Sequence, residues 1–88
     1  MGRTEDVSAA IALLIEDNPR AKLADCRVYA TAYVEWMEAD VKITKNGLVV
    51  ANPTNGLPME NPYIRVRAAA RAEMARLPNI RHTDRLWR

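Results

Sequence analysis

The sequence predicts a mainly α protein with three helices, the central one long, and a small β-hairpin between the second and third. Three observations carry this. Two Asn-Pro pairs, Asn18-Pro19 and Asn61-Pro62, punctuate the chain. Apolar residues recur at helical spacing in the segments they bound. Between Gly47 and Glu60 that period stops, valines follow one another, and a Pro-Thr-Asn-Gly turn intervenes. A length of 88 residues suits one domain over 1–88. So small a domain buries only about 60% of its unfolded surface, and oligomerisation is a common remedy.

Helix 1 is predicted over 5–17. Thr4 is a plausible N-cap, and Glu5 and Asp6 suit the positive end of the helix dipole. Val7, Ile11, Leu14 and Ile15 share one face. Asparagine caps helices and proline is tolerated at the first helical position, so helix 2 is expected over 19–46. Its main stripe is Leu23, Cys26, Ala30, Tyr33, Met37 and Val41; Tyr29, Trp36 and Ile43 form a second stripe beside it. Together they make a face wider than one short helix covers, to be closed by the hairpin or by another subunit. Asn46-Gly47 supplies a helix stop.

The hairpin is expected over 48–60, with Leu48-Val49-Val50 outbound, Asn55-Gly56 in the turn and Leu57-Pro58-Met59-Glu60 returning. A two-stranded hairpin is not stable alone in water, so it must lean on helix 2 or on a partner. Helix 3 is expected over 62–77, with Tyr63, Val66, Ala70, Met74 and Leu77 buried. The tail, 78–88, has no clear period.

Charge is distributed unevenly. Residues 1–17 hold Arg3 against Glu5, Asp6, Glu16 and Asp17, a net of −3. Residues 63–88 hold Arg65, Arg67, Arg71, Arg76, Arg81, Arg85 and Arg88 against Glu73 and Asp84, a net of +5, with no lysine. Guanidinium groups grip phosphate and carboxylate bidentately. These seven arginines are therefore candidate DNA contacts. An acidic protein surface, the acidic first helix of a neighbouring subunit, or plain solvent would also suit them.

No catalytic site, cofactor site or metal site is expected. One histidine, His82, and one cysteine, Cys26, lie far apart in a chain with three glycines, and convergent metal ligands or phosphate-binding glycine loops need more. Cys26 lies on the apolar face of helix 2, and Glu38 with Lys42 makes an i,i+4 pair. A single cysteine permits no internal disulfide, and the longest apolar run, Ala9 to Ile15, is far short of the roughly 20 residues a bilayer requires. A cytoplasmic protein of the host cell is expected. Candidate protein-interface residues are Tyr29, Tyr33, Trp36, Ile43, Val49, Val50, Leu86 and Trp87. Trp87, between Arg85 and Arg88, reads equally as a tail anchor or an exposed hot spot.

Residues 23–77 carry a more specific pattern. Asp25, Tyr29, Tyr33 and Trp36 are followed by Gly47, Val49 and Val50, then Gly56, Asn61-Pro62, and a helix ending in Met74 and Leu77. This order resembles the core of the phage terminase small subunits. The resemblance implies a helical scaffold that assembles into rings or other oligomers, recognises a viral packaging site, and hands DNA to a large subunit holding the ATPase and nuclease. It implies partners accordingly: terminase small subunits, its own or a helper phage's; the terminase large subunit, directly or indirectly; and DNA, with no membrane. Family members are usually longer, and this sequence ends eleven residues after Leu77. That economy is similar to the small packaging-redirecting proteins of phage satellites, which join the helper phage's small subunit. A second reading, from the residues alone, is a small phage-encoded protein-interaction module or inhibitor without DNA binding.

Overall fold

The computed structural model describes residues 3–81. The element order is α1 (Arg3–Asp17), α2 (Leu23–Asn46), β1 (Val49–Ala51), β2 (Pro58–Glu60) and α3 (Tyr63–Ala75). This is the mainly α class the sequence predicts, with the hairpin between the second and third helices.

α1 starts two residues before the predicted position and ends where predicted. Its buried face is Ala10 and Leu14, with Val7 and Ile11 half-buried; Ile15, expected on that face, is 42% exposed. Asn18 closes the helix. Its backbone N–H and its Nδ2 both donate to the Leu14 carbonyl, at 2.8 and 3.0 Å, which answers carbonyls a helix end leaves unpaired.

α2 begins at Leu23, not at Pro19. The Asn18 side chain is spent on α1 and on the backbone of Arg81, donating to the Arg81 carbonyl at 3.1 Å and accepting its N–H at 2.7 Å. It is therefore not available to cap α2. Residues 19–22 turn instead, through a 3.0 Å bond from the Ala21 N–H to the Asn18 carbonyl, and α2 starts from an extended, uncapped Lys22. The helix then runs for 24 residues, roughly 36 Å at 1.5 Å per residue. It stops at Gly47, whose φ of 88° only glycine adopts without strain.

The interior is thin and rich in alanine, as the composition requires. Ala10, Leu14, Cys26, Tyr29, Ala30, Tyr33, Val34 and Ile80 form one buried cluster. Ala32, Ala39, Ile43 and Ala70 are buried as well, on α2 and α3, which pack against each other while α1 packs on α2. The wide apolar face of α2 is thus largely covered by α1, α3 and Ile80. Leu23, Val28 and Val41 remain exposed on it. Ile80, in a segment the periodicity leaves unread, is part of the core.

α3 is rotated relative to the predicted stripe. Ala70 is buried and Ile64, Arg67, Met74 and Leu77 are half-buried, while Tyr63 and Val66 are exposed. The reason is an ion pair. Arg67 Nη1 lies 2.8 Å from Asp40 Oδ1, so a charged residue sits in the face turned toward α2.

A second ion pair fastens the start of α1. Arg3 donates to Glu38 through both Nε, at 3.2 Å, and a terminal guanidinium nitrogen. These bonds and the guanidinium charge hold the Glu38 carboxyl below its ordinary value. A lowered carboxylate pKa adds stability above the unfolded value, and that stability is lost as pH falls through the folded value. The tie is therefore complete at neutral pH and is lost only as pH falls below the ordinary glutamate range. An NMR titration should place the Glu38 midpoint below that of an ordinary glutamate, and Arg3→Ala should move it back up. An unchanged midpoint in Arg3→Ala would remove the pair from the account.

The two strands pair antiparallel, Val49 with Glu60, Val50 with Met59 and Ala51 with Pro58. The loop is wider than a two-residue Asn-Gly turn. The Asn52 N–H donates to the Leu57 carbonyl at 2.8 Å, and inside that span the Gly56 N–H reaches the Asn52 carbonyl at 2.7 Å. Asn52 and Asn55 each accept, on Oδ1, the N–H two residues on, the local bonding for which asparagine is favoured in turns.

Candidate functional site

The sequence points to arginines on α3 and beyond, and the structure divides them by what they already hold. Arg67 is committed to Asp40 on α2. Arg76 pairs with Glu73 at 3.2 Å, one turn back. Arg65, its side chain 89% exposed, reaches Glu60 only at 3.5 Å. Exposed pairs of this kind contribute about 0–1 kcal/mol and exchange readily for a stronger anion. Arg71 is exposed and has no ion-pair partner among the described residues; Arg81 is exposed, with its backbone held by Asn18. Arg65, Arg71, Arg76 and Arg81 thus offer charge to a ligand, whereas Arg67 first holds α3 to α2. Arg85 and Arg88, with Leu86 and Trp87, lie outside the described residues.

The aromatic residues expected at an interface separate in the same way. Tyr29, Tyr33 and Ile43 are all buried in the chain's own interior. Burial pushes both tyrosine hydroxyls up from their ordinary pKa, and pushes the Cys26 thiol up as well. Trp36 is half-buried. With Tyr29 it forms one wall of a cleft of about 450 Å³ between α2 and the end of α3. Arg71, Met74, Leu77 and Ile80 help complete it, and among the described residues no carboxylate lines it.

A second surface lies at the hairpin end. Val49 is 64% exposed, Leu48, Leu57 and Val41 comparably so, and Tyr63 and Val66 are exposed on α3. Tyr63 joins two shallow clefts, one shared with Val49 and Val50, the other with Met37 and Val41. From Gly47 to Met59 there is no charged residue. Exposed strand edges are ordinarily guarded by charge, proline or cover; here the guards within the strands are Pro58 and Glu60, both in β2.

What holds this hairpin is one residue that periodicity could not single out. Asn61, 2% exposed, donates its N–H to the Leu48 carbonyl and its Nδ2 to the Gly47 carbonyl, both at 2.8 Å. Its Oδ1 accepts the Tyr63 N–H at 3.0 Å, so it also caps α3 with Pro62 in helical conformation behind it. The Asn-Pro pair signals the cap; the fastening of the hairpin has no sequence signature.

Two shorter helices pack on a long central one, α3 bears the arginines, and the hairpin carries no charge from Gly47 to Met59. The chain's family decides the reading. Residues 10–79 match the model of the family described as phage terminase, small subunit. The chain belongs to that family. No curated protein and no solved structure matches it.

In this terminase small subunit the matched span runs from Ala10, on the buried face of α1, to Asn79. It takes in all of α2, the hairpin, α3 and most of the cleft lining, and it leaves out Arg3 and Arg81. Family membership gives the chain a packaging-related role. No helix among the described residues is long and apolar enough to cross a membrane, and no three His, Cys, Asp or Glu among them gather to hold a metal.

Proposed function

We propose that this chain is a non-catalytic DNA-packaging specificity factor that selects DNA by assembling with other small-subunit chains, its own copies or, if satellite-encoded, those of a helper phage whose packaging it redirects. It acts in the host cytoplasm beside the large subunit, which it contacts directly or through its partners. The observation that carries the reading is the small-subunit family match joined to a hairpin that the chain itself does not cover. A two-stranded sheet whose exposed side chains are mostly apolar needs packing to persist, and a partner supplies it. Val49, Val50, Leu57 and Tyr63 are the residues of that contact.

DNA contact falls to the arginines with charge to spend. Phosphate contacts position a protein on DNA without reading sequence, and each released counterion gives binding a salt dependence of about 0.9 per phosphate. Fluorescence anisotropy with a duplex, over a series of salt concentrations, tests this. Arg71→Ala and Arg81→Ala should each weaken binding and lower the log–log salt slope by about one. Arg67→Ala should instead destabilise the fold and leave the slope nearly unchanged. Salt-independent binding, or none even with a partner small subunit present, ends the DNA assignment. The reading then reduces to a protein-interaction module or inhibitor, which the engagement of Arg67 and Arg76 within the chain also favours.

A further inference from the structure

The cleft between α2 and the end of α3 is separate from the hairpin surface and shares Arg71 with the DNA assignment. Its walls are apolar, Trp36 and Tyr29 facing Met74, Leu77 and Ile80, and its one cation is Arg71. Arg76 and Arg81 follow its lining residues Ala75 and Ile80 in the chain, and among the described residues no carboxylate lines it. The ligand chemistry it fits is an apolar side chain carried on an acidic surface.

That chemistry exists on the same molecule. The outward face of α1 runs Glu5, Ser8, Ala9, Ala12, Ile15 and Glu16, all exposed, at the three-and-four spacing of one helix face. It is flat through the serine and alanines, with Ile15 projecting and carboxylates at both ends. Ile15 sits on α1, whose buried residues are Ala10 and Leu14, so this face points away from the cluster that holds α1 to α2.

We infer that the α2–α3 cleft receives the acidic outer face of α1 from a second copy of the chain, with Ile15 entering between Trp36 and Met74 and the α1 carboxylates meeting Arg71 and its neighbours. This rests on the assembly reading above and adds a second joint to the hairpin contact. The contact is heterologous: each copy gives α1 to one neighbour and its cleft to another. Such contacts close into rings or run on as filaments, unlike a two-fold pairing of identical surfaces. It also accounts for the placement of charge, acidic at α1 and basic at α3, in a chain whose net charge is only +2.

Sedimentation velocity of the full chain without DNA tests it. Wild type should assemble beyond a dimer. Ile15→Glu, which spoils the inserted face, and Arg71→Glu, which spoils the receiver, should each form smaller species than wild type. Mixed in equal amounts, they should form larger species than either alone, because each retains the half the other lacks. Arg71→Lys should still assemble. Ala12→Arg and Ala75→Arg, both at exposed helix positions, repeat the test should either first variant lose its helical circular dichroism. A monomeric wild type overturns the inference, and points to a partner of different sequence. Variants that assemble like wild type overturn it while leaving assembly through the hairpin standing. A mixture that forms nothing larger than its two components overturns the complementary joint.

Discussion

Leu14→Ala should lower stability by about 3–4 kcal/mol, the largest loss of any single substitution considered. Leu14 is fully buried at the meeting of α1 with α2, in a cluster that includes Cys26, Tyr29, Ala30 and Ile80. Truncating a buried leucine removes its transfer free energy and leaves a cavity that close-packed surroundings only partly refill. These neighbours are small or ring-shaped, and the alanines have no longer side chain to move into the gap. Small domains sit near the low end of the usual 5–15 kcal/mol, so most of the margin disappears. At about 4–8 °C per kcal/mol for this size, the melting temperature should drop by roughly 15–25 °C in circular dichroism. The adjacent Ile15→Ala, at an exposed position, should cost under about 1 kcal/mol. Equal losses at the two positions would mean that α1 is turned differently on α2.

That pair of neighbours shows where the sequence is readable and where it is not. The α1 pattern predicts a face of Val7, Ile11, Leu14 and Ile15, and periodicity alone spans too wide an arc to say which edge residue is left out. The three helices, the hairpin and their order are all legible, because they depend on local signals: helical spacing, Asn-Gly and Asn-Pro. The two Asn-Pro pairs mark the limit. Asn61 caps α3 as its sequence suggests, whereas Asn18, with the same following proline, binds Leu14 and Arg81. The difference is decided by a residue 63 positions away, which no local rule contains. The arginines repeat the lesson. Their clustering is evident from composition, but Arg67 is withdrawn from the surface by Asp40, 27 positions earlier and on another helix. The burial of Tyr33 and Ile43, expected at an interface, has the same origin: the apolar width of α2 was readable, and how much of it α3 and Ile80 would cover was not.

Asn61→Ala should cost about 2–3 kcal/mol, more than an ordinary cap, because the side chain does two jobs with one amide. Losing Oδ1 frees the Tyr63 N–H at the start of α3, a capping loss of about 1 kcal/mol. Losing Nδ2 removes a part-buried bond to the Gly47 carbonyl, made by a side chain that is itself buried, which adds about 1–2 kcal/mol. The backbone bond to Leu48 survives, so the strands still meet at their base. The two halves of the effect can be separated. Asn61→Asp keeps an acceptor for Tyr63 and suits the positive end of the α3 dipole, but cannot donate to Gly47. It should lose less than the alanine variant, and lose it at the hairpin. Amide exchange would then quicken at Val50 and Asn52 while the first turn of α3 stays protected. Under Asn61→Ala both should quicken. If α3 frays in both variants alike and the hairpin amides do not change, the fastening of the hairpin lies elsewhere, and its contact surface is not set by Asn61.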